Sequence, residues 1–189
     1  MSKIKSLSSA INSVLVDAIK EINEVRIPAL EVAWGRTFKE ELENEDQKTV
    51  EIAKNYSRIV NNCIYRRVKE VLPDFKEHTT NGSDYILGDL LIEDKNSFSD
   101  SNGWVGNGFD KTPVHLLKKF ICDENGRIIS AFVAIVDLGK CKSAWSDRQL
   151  NTNRSVITFS KEDLQHIEIV FGDIKENRVN LKPILKSVI

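Results

Sequence analysis

The run Ala131-Phe132-Val133-Ala134-Ile135-Val136 constrains the fold more than any other stretch. Side chains on a strand alternate between two faces, so a run without alternation reads as a central strand buried on both faces. It lies within the apolar segment Arg127–Leu138. A second apolar segment, Val114–Cys122, precedes it across Asp123-Glu124-Asn125-Gly126. Asn-Gly between two apolar runs is a hairpin signal. The chain is therefore expected to build a sheet around this hairpin.

The elements before it are helical. Residues 4–25 place Ile4, Leu7, Ile11, Val14, Leu15, Ala18, Ile22 and Val25 at helical, near-heptad spacing. Such a stripe packs on its own domain or forms a dimer. Pro28 interrupts the pattern and suits the first turn of a second helix, which continues from Ala29 to Glu43. The acidic run Glu40–Asp46 reads as a solvated helix end. A third helix spans about Thr49 to Leu72, closed by Pro73. Arg58, Arg66, Arg67 and Lys69 form a basic cluster near its end, open to a helix-terminus reading or to phosphate contact.

Residues 73–83 read as a polar connector and 96–113 as a loop rich in Asn, Ser, Gly and Asp. Trp104 and Phe109 lie in that loop, as plugs that pin it or as ligand contacts. Residues 139–154 are again polar. Val156–Phe159 and Ile167–Phe171 read as strands, with a short helix capped by Ser160 and Asp163 between them. Residues 172–189 read as a basic, loosely patterned tail.

Bulk properties set limits. At 189 residues the chain fits one domain, with a helical portion at 1–72, a mixed-sheet core at 73–171 and a tail at 172–189. No apolar run approaches the length of a membrane span and residues 1–5 lack a signal-peptide pattern, so a soluble, cytoplasmic protein is expected. Cys63, Cys122 and Cys141 have no metal-ligand spacing and read as reduced thiols. The net charge of −1 gives no basic excess, so any nucleic-acid partner depends on basic residues gathered on one face.

The chemistry concentrates between Gly82 and Asn107. Leu90-Leu91-Ile92 reads as a buried strand ending in Glu93-Asp94-Lys95, with Glu93 and Lys95 on one side and Asp94 on the other. Asp84-Tyr85-Ile86-Leu87 precedes it across a tight Gly88-Asp89 turn, which would return Asp84 beside Glu93. Two carboxylates on one sheet edge suit a hard divalent cation. Acid-x-lysine triplets also occur at Asp46-Gln47-Lys48, Asp74-Phe75-Lys76 and Asp173-Ile174-Lys175. Only the triplet at Glu93 combines an apolar strand, an upstream acid and a polar loop beyond. Asp74, whose triplet has no apolar strand around it, and Asp89 compete with Asp84 for the first acid.

At Asp84, Glu93 and Lys95 the sequence resembles the PD-(D/E)XK nuclease superfamily, and within it the type II restriction endonucleases. The stretches Lys95–Ser99, Trp104–Asn107 and His115–Leu117 share the resemblance, which covers mainly residues 82–120 with weaker support to about 171. It implies an α/β fold: a restriction-endonuclease-like mixed central sheet flanked by helices, here with an N-terminal helical portion. It also implies Mg2+-dependent cleavage of double-stranded DNA. Asp84 and Glu93 would hold the metal with Asp94, through its backbone carbonyl, and Lys95 would face the attacking water or the phosphate. The loops at 96–111 and 143–154 are the expected DNA contacts, through Asn96, Ser97, Ser99, Trp104, Asn107, Lys111, Arg148, Gln149, Asn151, Asn153 and Arg154. Arg reads guanine, and Asn or Gln reads adenine, by paired hydrogen bonds. Lys118 and Lys119 are expected to supply one phosphate contact and one exposed lysine. Symmetric cutting implies a homodimer.

Overall fold

The computed structural model describes residues 2–43, 49–78, 83–99, 101–106, 112–141, 155–176 and 181–188. Helix α1 (Lys3–Glu21) begins where the Ser2 side chain accepts a hydrogen bond from the Lys5 N–H at 3.3 Å. Its stripe of Leu7, Ile11, Leu15 and Ala18 is fully buried. Each buried Leu or Ile contributes about 1.5–3 kcal/mol. The stripe packs within its own chain, so it is not open to a dimer partner; only Val25, at 54% exposure, stands clear.

The expected break at Pro28 is instead a widening. A π-helical stretch, Ile22–Arg26, leads straight into α2 (Ile27–Trp34), and the Ile27 N–H bonds to the Ile22 carbonyl. Proline has no N–H to give to the carbonyl four residues back, and a wider turn absorbs that loss. Gly35, at φ 67°, closes α2, so the helix expected over 29–43 is two, α2 and α3 (Phe38–Glu43). Glu41 in α3 is buried and paired with Arg36 at 2.9 Å, unlike a fully solvated acidic end. Helix α4 (Thr49–Val71) carries the expected buried stripe through Tyr56, Val60, Ile64 and Val68.

The strands are β1 (Phe75–Glu77), β2 (Tyr85–Leu87), β3 (Leu90–Ser97), β4 (Trp104–Gly106), β5 (Val114–Cys122) and β6 (Ile128–Asp137). They continue with β7 (Ser155–Ile157), β8 (Ile167–Phe171), β9 (Asp173–Glu176), β10 (Leu181–Ile184) and β11 (Lys186–Ser187). The central sheet runs β1-β2-β3-β5-β6-β11, with β8 also paired to β6. It is mixed: β3 and β5 are parallel, and the other pairs are antiparallel. The β5–β6 hairpin forms as expected. Gly126, at φ 73°, makes its turn, and a side chain there would strike the Phe38 ring at 2.6 Å. Residues Ala131–Val136 are buried on both faces at 0–1% exposure.

Expectations change at three places, the first being the expected loop at 96–113, which holds the end of β3 and all of β4. The connector at 73–83 contains β1, an edge strand anchored by buried Phe75, so the triplet at Asp74 runs into a strand although Asp74 itself stays in the turn before it. The tail at 172–189 contains β9, β10 and β11. Leu181 is 1% exposed, and Pro183 is tolerated because β9–β10 is a separate two-stranded ribbon. The capping box at Ser160 and Asp163 opens a 3-10 turn, Lys161–His166.

One face of the sheet, with Ile92, Leu116, Phe120, Val133 and Ile135, packs in a cluster shared with α1 and α4. The other face, with Leu117, Phe132, Ala134 and Val136, packs with Trp104, Ile157, Phe159 and Leu181 from the β4–β7 and β9–β10 ribbons and the segment after β7. Among the described residues, helices thus cover one face and strand ribbons the other. No described helix is long and apolar enough to cross a membrane.

Candidate active site

Strand alternation places Leu90, Ile92, Asp94 and Asn96 of β3 toward the helices, and Glu93, Lys95 and Ser97 toward the opposite face. Tyr85 pairs with Ile92, and the Asp84 N–H bonds to the Ile92 carbonyl at 2.9 Å. The paired register ends at Tyr85–Ile92, and Asp84 follows it along the edge of β3, bonded to both Ile92 and Asp94 on either side of Glu93. The Asp84 Oδ2 accepts a hydrogen bond from the Asp94 N–H at 2.7 Å, which turns the carboxylate toward β3. Glu93 is 3% exposed, and its Oε1 accepts a hydrogen bond from the Lys95 Nζ. A carboxylate so buried is not a screened surface charge; its desolvation costs several kcal/mol unless it is paired.

The competing acids sit elsewhere. Phe75 pairs with Leu87 and Glu77 with Tyr85, so Asp74 lies at the turn end of β2, away from Asp84. Asp89 occupies that turn, fully exposed and paired with Lys3. It is four residues from Glu93, about 13 Å along an extended strand.

Behind Glu93 and Lys95 lies a polar network that single-residue reasoning misses. Asp94 faces the helical layer, where its Oδ2 accepts from the Lys118 Nζ at 2.7 Å and from the Tyr85 hydroxyl at 3.4 Å. Both members of the Asp94–Lys118 pair have side chains only 1% exposed. Burial pushes the Asp94 carboxyl up, against the Lys118 ammonium that favours its charged form. Burial and then the Asp94 charge also push the Tyr85 phenol up, keeping it a donor. Lys118 gives a second hydrogen bond to Asn61 Oδ1 on α4 at 2.9 Å, and the Asn96 amide reaches Asn61 Oδ1 and Ser57 Oγ, each at 2.6 Å. The Asp94 side chain therefore cannot join Asp84 and Glu93 as a ligand. On a strand the N–H and C=O of a residue point to the same edge, so the Asp94 carbonyl lies on the Asp84 side.

The DNA contacts expected from sequence divide. Asn96 is turned into the α4 network, away from Lys95. Trp104 is 1% exposed, and its indole N–H donates to the Lys118 carbonyl at 2.8 Å; it is a plug that pins the loop. Lys118 and Lys119 are both 1% exposed, correcting the expected phosphate contact and surface lysine. The Lys119 Nζ reaches the carbonyls of Ser99 (3.3 Å), Ser101 (2.6 Å) and Gly103 (3.2 Å) and the Ser97 Oγ (3.1 Å), and lies 4.8 Å from the Trp104 ring centre. Ser97 and Ser99 stay on the Glu93 side, linked hydroxyl to hydroxyl at 3.3 Å. Asn107, Phe109, Lys111, Arg148, Gln149, Asn151, Asn153 and Arg154 lie outside the described residues.

His115, which opens one of the stretches that share the resemblance, is placed by the parallel register beside Glu93, at 3% exposure. The signal was available: His115, Lys118 and Lys119 interrupt an apolar strand that is covered on both faces.

The arrangement offers the carboxylates of Asp84 and Glu93 and the Asp94 carbonyl as hard oxygen donors, with an ammonium alongside. That donor chemistry suits Mg2+, which binds through one or two carboxylates and keeps several waters. Among the described residues there is no cluster of three or more His, Cys, Asp or Glu side chains able to hold a metal. Searches against known protein families and against curated proteins match nothing.

Proposed function

We propose that this chain is a Mg2+-dependent endonuclease with a restriction-endonuclease-like fold, hydrolysing phosphodiester bonds of double-stranded DNA at a short specific sequence. One observation carries the reading: buried Glu93, paired with Lys95, ends an apolar stretch of strand, and the next residue, Asp94, gives its N–H to the Asp84 carboxylate. Strongly desolvated charges with specific partners concentrate at functional sites. The helix–sheet order and the mixed sheet are compatible with the fold named.

Asp84, Glu93 and the Asp94 carbonyl would hold Mg2+. When bound, the ion lowers the pKa of a coordinated water and offsets charge on the phosphate. Lys95 lies beside Glu93, where it would orient the attacking water and stabilise the negative charge that develops. Ser97 and Ser99, whose hydroxyls lie beyond Lys95, would give hydrogen bonds to neighbouring phosphates. A twofold dimer would present one such site to each strand, using a surface other than the buried stripe of α1.

The test is incubation of the purified protein with a long DNA of known sequence, with Mg2+ and with EDTA. Discrete fragments with Mg2+ alone are expected, lost in Asp84→Ala and Glu93→Ala. Lys95→Ala should slow cleavage by about 100-fold or more while leaving DNA binding in place. A Mg2+-dependent smear would move the reading to a low-specificity nuclease. No cleavage, with DNA still bound, would replace it by a non-catalytic DNA-binding module.

A further inference from the structure

Three guanidiniums converge on one carboxylate where α1 meets α4. Glu21 Oε1 accepts from Arg26 Nε (3.1 Å) and Nη2 (2.8 Å) and from an Arg66 Nη2, while its Oε2 accepts from Arg67 Nε (3.2 Å) and Nη2 (3.0 Å). A carboxylate has about four lone-pair sites, so Glu21 is saturated. The three positive charges on this single negative one leave a surplus of two. Asp17, Glu24 and Glu70 on the same elements make no ion pair with any of these arginines among the described residues.

The arginines still hold donors. A guanidinium carries five N–H groups in a rigid fork. Arg66 gives only an Nη2 hydrogen to protein, and Arg26 keeps its Nη1. Both side chains are about half exposed, at 50% and 42%. They open onto a cavity of about 230 Å3 lined also by Ile59, Asn62 and Cys63. Asn62 is exposed and adds an amide at the rim. The pocket thus combines surplus positive charge, unused forked donors and a neutral floor.

We propose that this cavity binds a phosphate dianion, held by Arg26 and Arg66 with Asn62 at the rim. Two unsaturated guanidinium forks match the tetrahedral oxygens of phosphate better than a flat carboxylate, which the fold already supplies in Glu21. The phosphate is either free in solution or the terminal phosphate of a nucleic-acid strand; the recognising chemistry is the same. The cavity lies in the helical layer, on the other side of the sheet from Glu93 and Lys95, so the site is independent of the nuclease reading.

The experiment is thermal unfolding of the full chain in rising inorganic phosphate, against chloride at matched ionic strength, with calorimetric titration for stoichiometry. A saturable rise in Tm with one phosphate per chain is expected. Arg66→Gln, which removes one hydrogen bond at a half-exposed position, should weaken binding about tenfold or more, its phosphate-dependent rise being read from its own Tm in chloride. Asn62→Leu, which fills the rim, should weaken it independently should Arg66→Gln prove unstable. A 5′-phosphorylated oligonucleotide that displaces phosphate, where its 5′-hydroxyl twin does not, assigns the source to nucleic acid; displacement by neither assigns it to free phosphate. No phosphate-specific rise in Tm, or an equal rise in both variants, would overturn the proposal.

Discussion

Lys118 shows most directly how one residue holds this molecule together. Its ammonium, between Asp94 and Asn61, is sealed between sheet and helix. Removing one partner of a buried pair strands the other charge, so Lys118→Met should cost about 3–5 kcal/mol at neutral pH, read by denaturant unfolding. The sign of its pH dependence is fixed. Without the lysine, the folded state prefers Asp94 as the neutral acid, raised above its ordinary value of 3.8. The variant's deficit should therefore grow as pH rises above that value and shrink as pH falls towards it. Adding Asp94→Asn to Lys118→Met should recover most of the loss at neutral pH. The sequence exposes Asp94 as the middle of an acid-x-lysine triplet, and alternation alone predicts which way it points. Its partners were not legible: Asn61 lies 57 positions from Lys118, and no local pattern links them.

Among elements, the junction of α1 with α4 tests whether charge or apolar packing secures the helical layer. Burial raises the Glu21 carboxyl, but hydrogen bonds from Arg66, Arg26 and Arg67 outweigh it and hold the group below its ordinary 4.5. A depressed carboxyl stabilises the fold above its unfolded value and ceases to do so as pH falls through the folded one. Wild type should thus lose stability on acidification below about pH 4.5, and Glu21→Gln should flatten that slope while costing on the order of 1 kcal/mol at pH 7. Acid titration of the two proteins by circular dichroism checks both. The helices themselves were readable, because their apolar residues recur every three or four positions and survive in the buried stripe. The π-helical widening was not, since Pro28 signals an interruption without saying whether the backbone breaks or expands.

Across the whole molecule the legible part is the apolar centre, and the illegible part is what covers it. Ala131–Val136 announces burial on both faces, but helices cover one and ribbons the other. The last strands were hidden because Lys182-Pro183-Ile184 breaks the alternation that marks a strand. Ending the chain after Phe171 should uncover the Phe132 side of the sheet and cost roughly 3 kcal/mol or more from Leu181 and its neighbours, measured as a fall in Tm. The divided cover also bears on how such a chain can change over generations. Lys119 grips the loop after β3 mainly through main-chain carbonyls at positions 99, 101 and 103, and every amino acid supplies those. Side chains there can therefore be exchanged without loosening the grip of Lys119 on the main chain. A new surface chemistry can be tried on that side of the sheet while the helix-covered side continues to carry the fold.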